Sequence, residues 1–128
     1  MTSVALLGTG TLGSAIAQRF LAQGLDVHVW NRDSSRTAPL IDLGAIAITD
    51  LHAATRNCHS IVTVLTTGDV TTEVVAALGQ LNGSTVIPMG TMGVTESRKL
   101  AAQVLQKNGK YLEAPVLGSK PQALSGSL

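Results

Sequence analysis

Three features of the 128-residue chain predict a doubly wound α/β fold, a mainly parallel sheet with helices on both faces. Short apolar runs alternate with stretches of helical period along the whole length, the pattern of repeated strand–helix–strand units. Hydrophobic residues make up 45% of the chain and aromatic ones only 2%. A core of Val, Leu, Ile and Ala suits strands buried on both faces. Finally, a glycine-rich turn stands between the first apolar run and the first helical one. Residues 1–128 are read as one domain, since a chain of this length buries roughly two-thirds of its unfolded surface.

The strands read as Ser3–Leu7, Asp26–Trp30, Ala45–Ile48, Ser60–Leu65, Thr85–Ile87 and Tyr111–Glu113. Between the first two, Leu12, Ile16, Phe20 and Leu21 recur at helical spacing, and Gly24 stops the helix. Asp69 is a candidate N-cap for a helix carrying Val70, Val74, Val75 and Leu78, with Gly79 behind it. Gly93 and Glu96 open a third helix carrying Leu100, Ala101, Val104 and Leu105, and Asn108-Gly109 offers a left-handed exit. The tail, GSKPQALSGSL, is polar and Gly/Ser-rich and reads as lacking a final helix or strand.

Nine basic residues against eight acidic ones give a net charge of +1 with no basic run. Neither nucleic acid nor an anionic membrane is therefore expected as partner. The single cysteine, Cys58, rules out an internal disulfide and suits a reducing compartment. No metal site is expected, because His28, His52, His59 and Cys58 lack a ligand spacing. No leader pattern and no long apolar run are evident, so a soluble, cytoplasmic protein is expected.

The chemistry is concentrated in the turn Gly8-Thr9-Gly10-Thr11-Leu12-Gly13. Gly8 permits the tight turn, Gly10 lets the backbone approach a pyrophosphate, and Gly13 lets the helix pack on the strand. The helix start then offers free N–H groups and a positive dipole end to phosphates. A lone G-x-G-x-x-G is weak and describes many tight strand-to-helix turns. Here a strand precedes it, a helix follows, and a second strand ends about 20 residues on, the context that a Rossmann-type dinucleotide site requires.

That second strand ends in Asn31-Arg32-Asp33. An acid at the strand end would bond the ribose hydroxyls of NAD and repel a 2′-phosphate. Asn31 is neutral, whereas Arg32 can pair with a 2′-phosphate and lie on the adenine. Arg36 and the hydroxyls of Ser34, Ser35 and Thr37 stand nearby. NADP is thus favoured over NAD as cofactor. The competing reading makes Arg32 a solvated loop residue and gives the ribose to Asp33.

The stretch LLGTGTLGSAIAQRFLAQGLDVHVWNR resembles the opening of the β-hydroxyacid dehydrogenases. That group includes 3-hydroxyisobutyrate dehydrogenase and the glyoxylate and succinic semialdehyde reductases. Imine reductases share its architecture, and its cofactor domain is like that of 6-phosphogluconate dehydrogenase. IPMGTMGVTES and YLEAPVLGSKPQALSGSL are similar to two later family segments, so the resemblance covers the whole chain. It implies that Gly8 to Gly13 hold the pyrophosphate and Asn31 and Arg32 the adenosine ribose. It also implies that Leu65 and Thr66 line the cofactor, Thr66 standing where the family has proline. Thr91 matches a threonine facing the nicotinamide side, although its hydroxyl serves equally well as a helix cap.

Leu117 replaces the serine that helps bind a substrate carboxylate, leaving Gly118 and Ser119 of the substrate-side segment. The family's proton-donating lysine and helical domain lie beyond that segment. Lys99, Lys107, Lys110 and Lys120 match none of its positions, so no catalytic residue is assigned within these 128 residues and no turnover by them alone is expected. His28 reads as structural, His52 and His59 as solvent-facing, and Cys58 as inert. The resemblance implies an NADP-dependent reductase of small carboxylated aldehydes or 2-oxo acids, homo-oligomeric or completed by a helical domain. The alternatives are an NADP-binding module without catalysis and an imine reductase-type domain.

Overall fold

The computed structural model describes residues 2–90, 92–116 and 118–128. Six strands form one sheet: β1 (Ser3–Leu7), β2 (Asp26–Trp30), β3 (Ile46–Ala47), β4 (Ser60–Thr63), β5 (Thr85–Pro88) and β6 (Lys110–Tyr111). Their order is β3-β2-β1-β4-β5-β6 and every pairing is parallel, so the sheet is wholly rather than mainly parallel. The helices are α1 (Thr11–Ala22), α2 (Ala38–Asp42), α3 (Gly68–Ala77), α4 (Val94–Gln106) and α5 (Lys120–Ser125). Two 3-10 turns, Ser34–Thr37 and Leu51–Arg56, complete the connections.

The central strands are buried because their two faces feed two cores. On one face, Val4 and Leu6 of β1 meet Ala15 and Ile16 of α1, Leu40 of α2 and Ala123 of α5. On the other, Ala5 and Leu7 meet Val74 and Val75 of α3 and Leu100 and Val104 of α4. The alternation along β1 therefore divides two apolar sets, and that is why the strand carries no polar face. Leu105, expected in the helix's apolar stripe, is 65% exposed, because one residue's step turns it about 100° round the helix from the buried Val104.

Most elements agree with the reading of the sequence, with corrections at their ends. The tail is not devoid of structure, because Lys120–Ser125 is helical and buries Ala123 against α1. Its short polar sequence hides this, since one buried alanine leaves no periodic signal. Thr67, not Asp69, caps α3: the Thr67 hydroxyl accepts from the Val70 N–H at 3.1 Å, and Asp69 sits in the first turn. The third strand shrinks to the exposed edge pair Ile46–Ala47, and the fourth ends at Thr63 before the chain turns into the site. Asn108 takes the left-handed exit of α4 at φ 62°, while Gly109 packs against Leu81 and Val104.

Candidate cofactor site

Strand order reverses between β1 and β4, which diverge to neighbours on opposite sides, and a crevice opens beyond their carboxyl ends. The glycine turn fills its floor. Gly8 has φ +107°, and a side chain there would collide with the Val64 carbonyl of the connection after β4. Gly13 is pressed against the Gly8 carbonyl, so α1 approaches the strand as closely as backbone permits. Gly10 differs. Among the described residues nothing lies within 4 Å of where its side chain would be, so its bare backbone faces open space there. It is also the N-cap of α1, in extended conformation and without a side-chain cap, so the helix's first N–H groups and positive dipole end stay available to an anion.

The rest of the turn is braced by the protein itself. The Thr9 N–H donates to Asn31 Oδ1 at 2.9 Å, and the Thr9 hydroxyl donates to the Arg36 carbonyl at 3.3 Å. Asn31 Nδ2 donates in turn to the Asp33 carbonyl at 3.1 Å. Thr9 is buried and Asn31 half-buried. These two candidate binding residues thus tie the glycine turn to the loop after β2. Thr11 and Leu12 form the first turn of α1.

Gly8 and Gly10 form one side of a cavity of about 240 Å³. Trp30, Asn31, Arg32 and Arg36 form a second side, and Val64, Leu65, Thr66 and Val70 a third. The structure therefore brings Asn31, Arg32, Arg36, Leu65 and Thr66 together with the glycines. Sequence reasoning passed over Trp30, Val64 and Val70. Their signal is positional, since each stands at or just beyond the carboxyl end of β2 or β4, or on the helix that follows.

Charges at the rim are paired. Arg32 Nη2 lies 3.1 Å from Glu73 Oε2 on α3, and Arg36 Nε lies 3.9 Å from Asp33 Oδ2. Asp33 also accepts from the Ser35 hydroxyl at 2.7 Å and the Ser35 N–H at 3.1 Å. These two bonds, with Arg36 adding less, hold its carboxyl below the ordinary range. Thr37 is spent on the same turn, its hydroxyl donating to the Ser34 backbone carbonyl at 2.8 Å.

Away from the cavity, His28 is a structural residue whose Nε2 lies 3.2 Å from Asp26 Oδ2. The Ser3 hydroxyl, then His28, hold the Asp26 carboxyl below its usual value. His52 and His59 are exposed. Burial, with a smaller push from Asp26, raises the Cys58 thiol to about 11, so it is unreactive at neutral pH. Among the described residues no three His, Cys, Asp or Glu side chains come together to hold a metal, and no helix is long and apolar enough to cross a membrane.

In the connection before α5, Gly118 has φ +131° and Ser119 stands at the N-cap. The Ser119 N–H and hydroxyl both donate to Gln122 Oε1, at 3.0 and 2.9 Å. Thr91 and Leu117 lie outside the described residues.

A parallel α/β sheet with an open glycine turn at its switch point, flanked by arginines, defines a nucleotide-binding domain. The chain belongs to the family of the NAD binding domain of 6-phosphogluconate dehydrogenase, whose model matches residues 3–128. Glyoxylate/succinic semialdehyde reductase 2, chloroplastic, of Arabidopsis thaliana is 33% identical over 98% of this chain and 37% of its own length. An imine reductase from Pseudomonas sp. superposes with a TM-score of 0.90 at 29% identity, over 94% of this chain and 43% of that one. Psf3 in complex with NADP+ and 2-OPP gives a TM-score of 0.87 at 29% identity, over 96% and 45%. The resemblance to the β-hydroxyacid dehydrogenases and the Rossmann-type fold are thus borne out. The chain spans between 37% and 46% of the length of the curated relatives named glyoxylate/succinic semialdehyde reductase or oxidoreductase that it matches.

Proposed function

We propose that residues 1–128 are the cofactor half of an NADPH-dependent reductase, with NADP preferred over NAD. The observation that carries this reading is one cavity joining the bare Gly10 backbone to Arg32 and Arg36, with no carboxylate side chain among the described residues that line it. The donors fit a dinucleotide: the start of α1 suits a pyrophosphate, and two guanidiniums suit a 2′-phosphate. Asp33, the competing ribose partner, is already committed to Ser35. Leu65 and Thr66 on the far wall line the same space. Bound NADPH supplies a hydride; what these residues do is hold it, orient it and cover one side of it.

The substrate is a small carboxylated aldehyde or 2-oxo acid, in keeping with the Arabidopsis reductase. Gly118 and Ser119, with Leu117, are substrate-side residues on the family resemblance. The likeness to an imine reductase supports a second reading in which a C=N bond is reduced. A site in the cytoplasm agrees with the free thiol of Cys58.

Calorimetric titration of the chain with NADPH and NADH tests the cofactor assignment. A charge-assisted bond worth about 1.5–3 kcal/mol makes NADPH roughly ten- to a hundredfold tighter. Arg32→Ala should remove most of that margin. Equal affinities, or a margin that survives Arg32→Ala, overturn the assignment.

A further inference from the structure

Arg32 and Glu73 come from opposite lips of the cofactor cavity and are 41 residues apart in sequence. Arg32 follows β2. Glu73 lies on α3 three residues beyond Val70, which lines the cavity, so the two share a helix face. Their side chains are 67% and 69% exposed. An ion pair so exposed contributes little to folding, so fold stability does not account for its place. That place is on the guanidinium which the proposed function gives to the 2′-phosphate.

We propose that Glu73 is a specificity-determining residue that competes with the 2′-phosphate for Arg32 and so limits the preference for NADP. The inference rests on the reading of Arg32 as the phosphate partner. A nucleotide without a 2′-phosphate leaves the Arg32–Glu73 pair intact and is indifferent to it. A 2′-phosphorylated nucleotide must draw Arg32 away, which the pair's exposure makes cheap. It then leaves an unpaired carboxylate beside a phosphate monoester that is close to doubly charged at neutral pH. Both effects act on NADP alone, and salt screens both. Arg36 is similarly balanced by Asp33 at 3.9 Å, so the wall meets the nucleotide nearly neutral.

The test is a set of titrations of the full chain with NADPH and NADH: wild type, Glu73→Gln, Arg32→Ala and the double variant, at low and high salt. Because Glu73 is exposed, Glu73→Gln should keep the wild-type circular dichroism and melting curve. It is expected to tighten NADPH about three- to tenfold and to leave NADH within a factor of about two. The gain should shrink at high salt and vanish on the Arg32→Ala background. If Arg32→Ala selectively weakens NADPH but Glu73→Gln leaves NADPH unchanged, weakens it, or tightens both nucleotides equally, the inference is overturned and the role of Arg32 stands. If Arg32→Ala leaves the NADPH margin intact, the proposed function falls, and this inference with it.

Discussion

Two connections in this domain are built from the same parts and end in opposite states. After β1, the chain passes Gly8 and Gly10 into α1; after β6, it passes Gly118 and Ser119 into α5. Both contain a glycine at positive φ, +107° and +131°. In the first, the helix cap is a glycine with no side chain and open space before it. In the second, the cap is Ser119, whose N–H and hydroxyl are both taken up by Gln122. At Ser119 the cap residue's own N–H and hydroxyl are tied up within the chain, whereas at Gly10 the helix start is left bare, the arrangement that suits an anion. The two connections thus differ in what they leave open, bare backbone after β1 and an internally bonded cap before α5.

The largest effect should come from closing the first connection to backbone. Gly8→Ala places a side chain at positive φ and against the Val64 carbonyl. Strain and overpacking together should cost about 3 kcal/mol or more, read as a lower urea midpoint. A stability loss below about 1 kcal/mol would show that β1 and β4 can part without penalty.

Gly10→Val sharpens the same comparison, because it fills the open side instead. The fold should survive, as none of the described residues lies within 4 Å of the new side chain's first carbon. NADPH and NADH should both weaken at least about tenfold, or ~1.4 kcal/mol. Affinities within a factor of about two of wild type, below ~0.4 kcal/mol, would mean that the phosphates do not lie here.

The smallest effect belongs to the second connection. Ser119→Ala removes a cap and should cost about 1 kcal/mol, confined to α5. Hydrogen exchange at the Ala123 amide, which donates to the Ser119 carbonyl at 3.0 Å, should accelerate while nucleotide affinity holds. A change in NADPH affinity as large as that of Gly10→Val would erase the distinction between the two connections.

Much of this was legible in the chain. The strands and the three longest helices follow from local periodicity, and the glycine turn from residue type and spacing. The structure departs from the sequence pattern where a local signal is short or ambiguous. Thr67 and Asp69 are both good caps, and only the observed bond to Val70 separates them. In α5, six residues with one buried alanine give no period to read. The short elements Ser34–Thr37, Ala38–Asp42 and Leu51–Arg56 were not anticipated either, each being too brief for periodic evidence. In the site, Gly8, Gly10, Asn31, Arg32, Arg36, Leu65 and Thr66 share one cavity as the sequence suggested. Thr9 and Asn31 also spend polar groups on each other and on the neighbouring loop.

The alternation of strand and helix, the aliphatic core and the bare helix start at Gly10 are written in the order of the residues, because each depends on neighbours within a turn or two. Which partners the polar groups take is set by the three-dimensional arrangement. Placing β1 between β2 and β4 lays the loop after β2 and the helix after β4 on either side of one crevice. That arrangement joins Thr9 to Asn31 across 22 residues and Arg32 to Glu73 across 41. Such pairings depend on strand order and on the twist that sets neighbouring connections side by side, and no local pattern of residues records them.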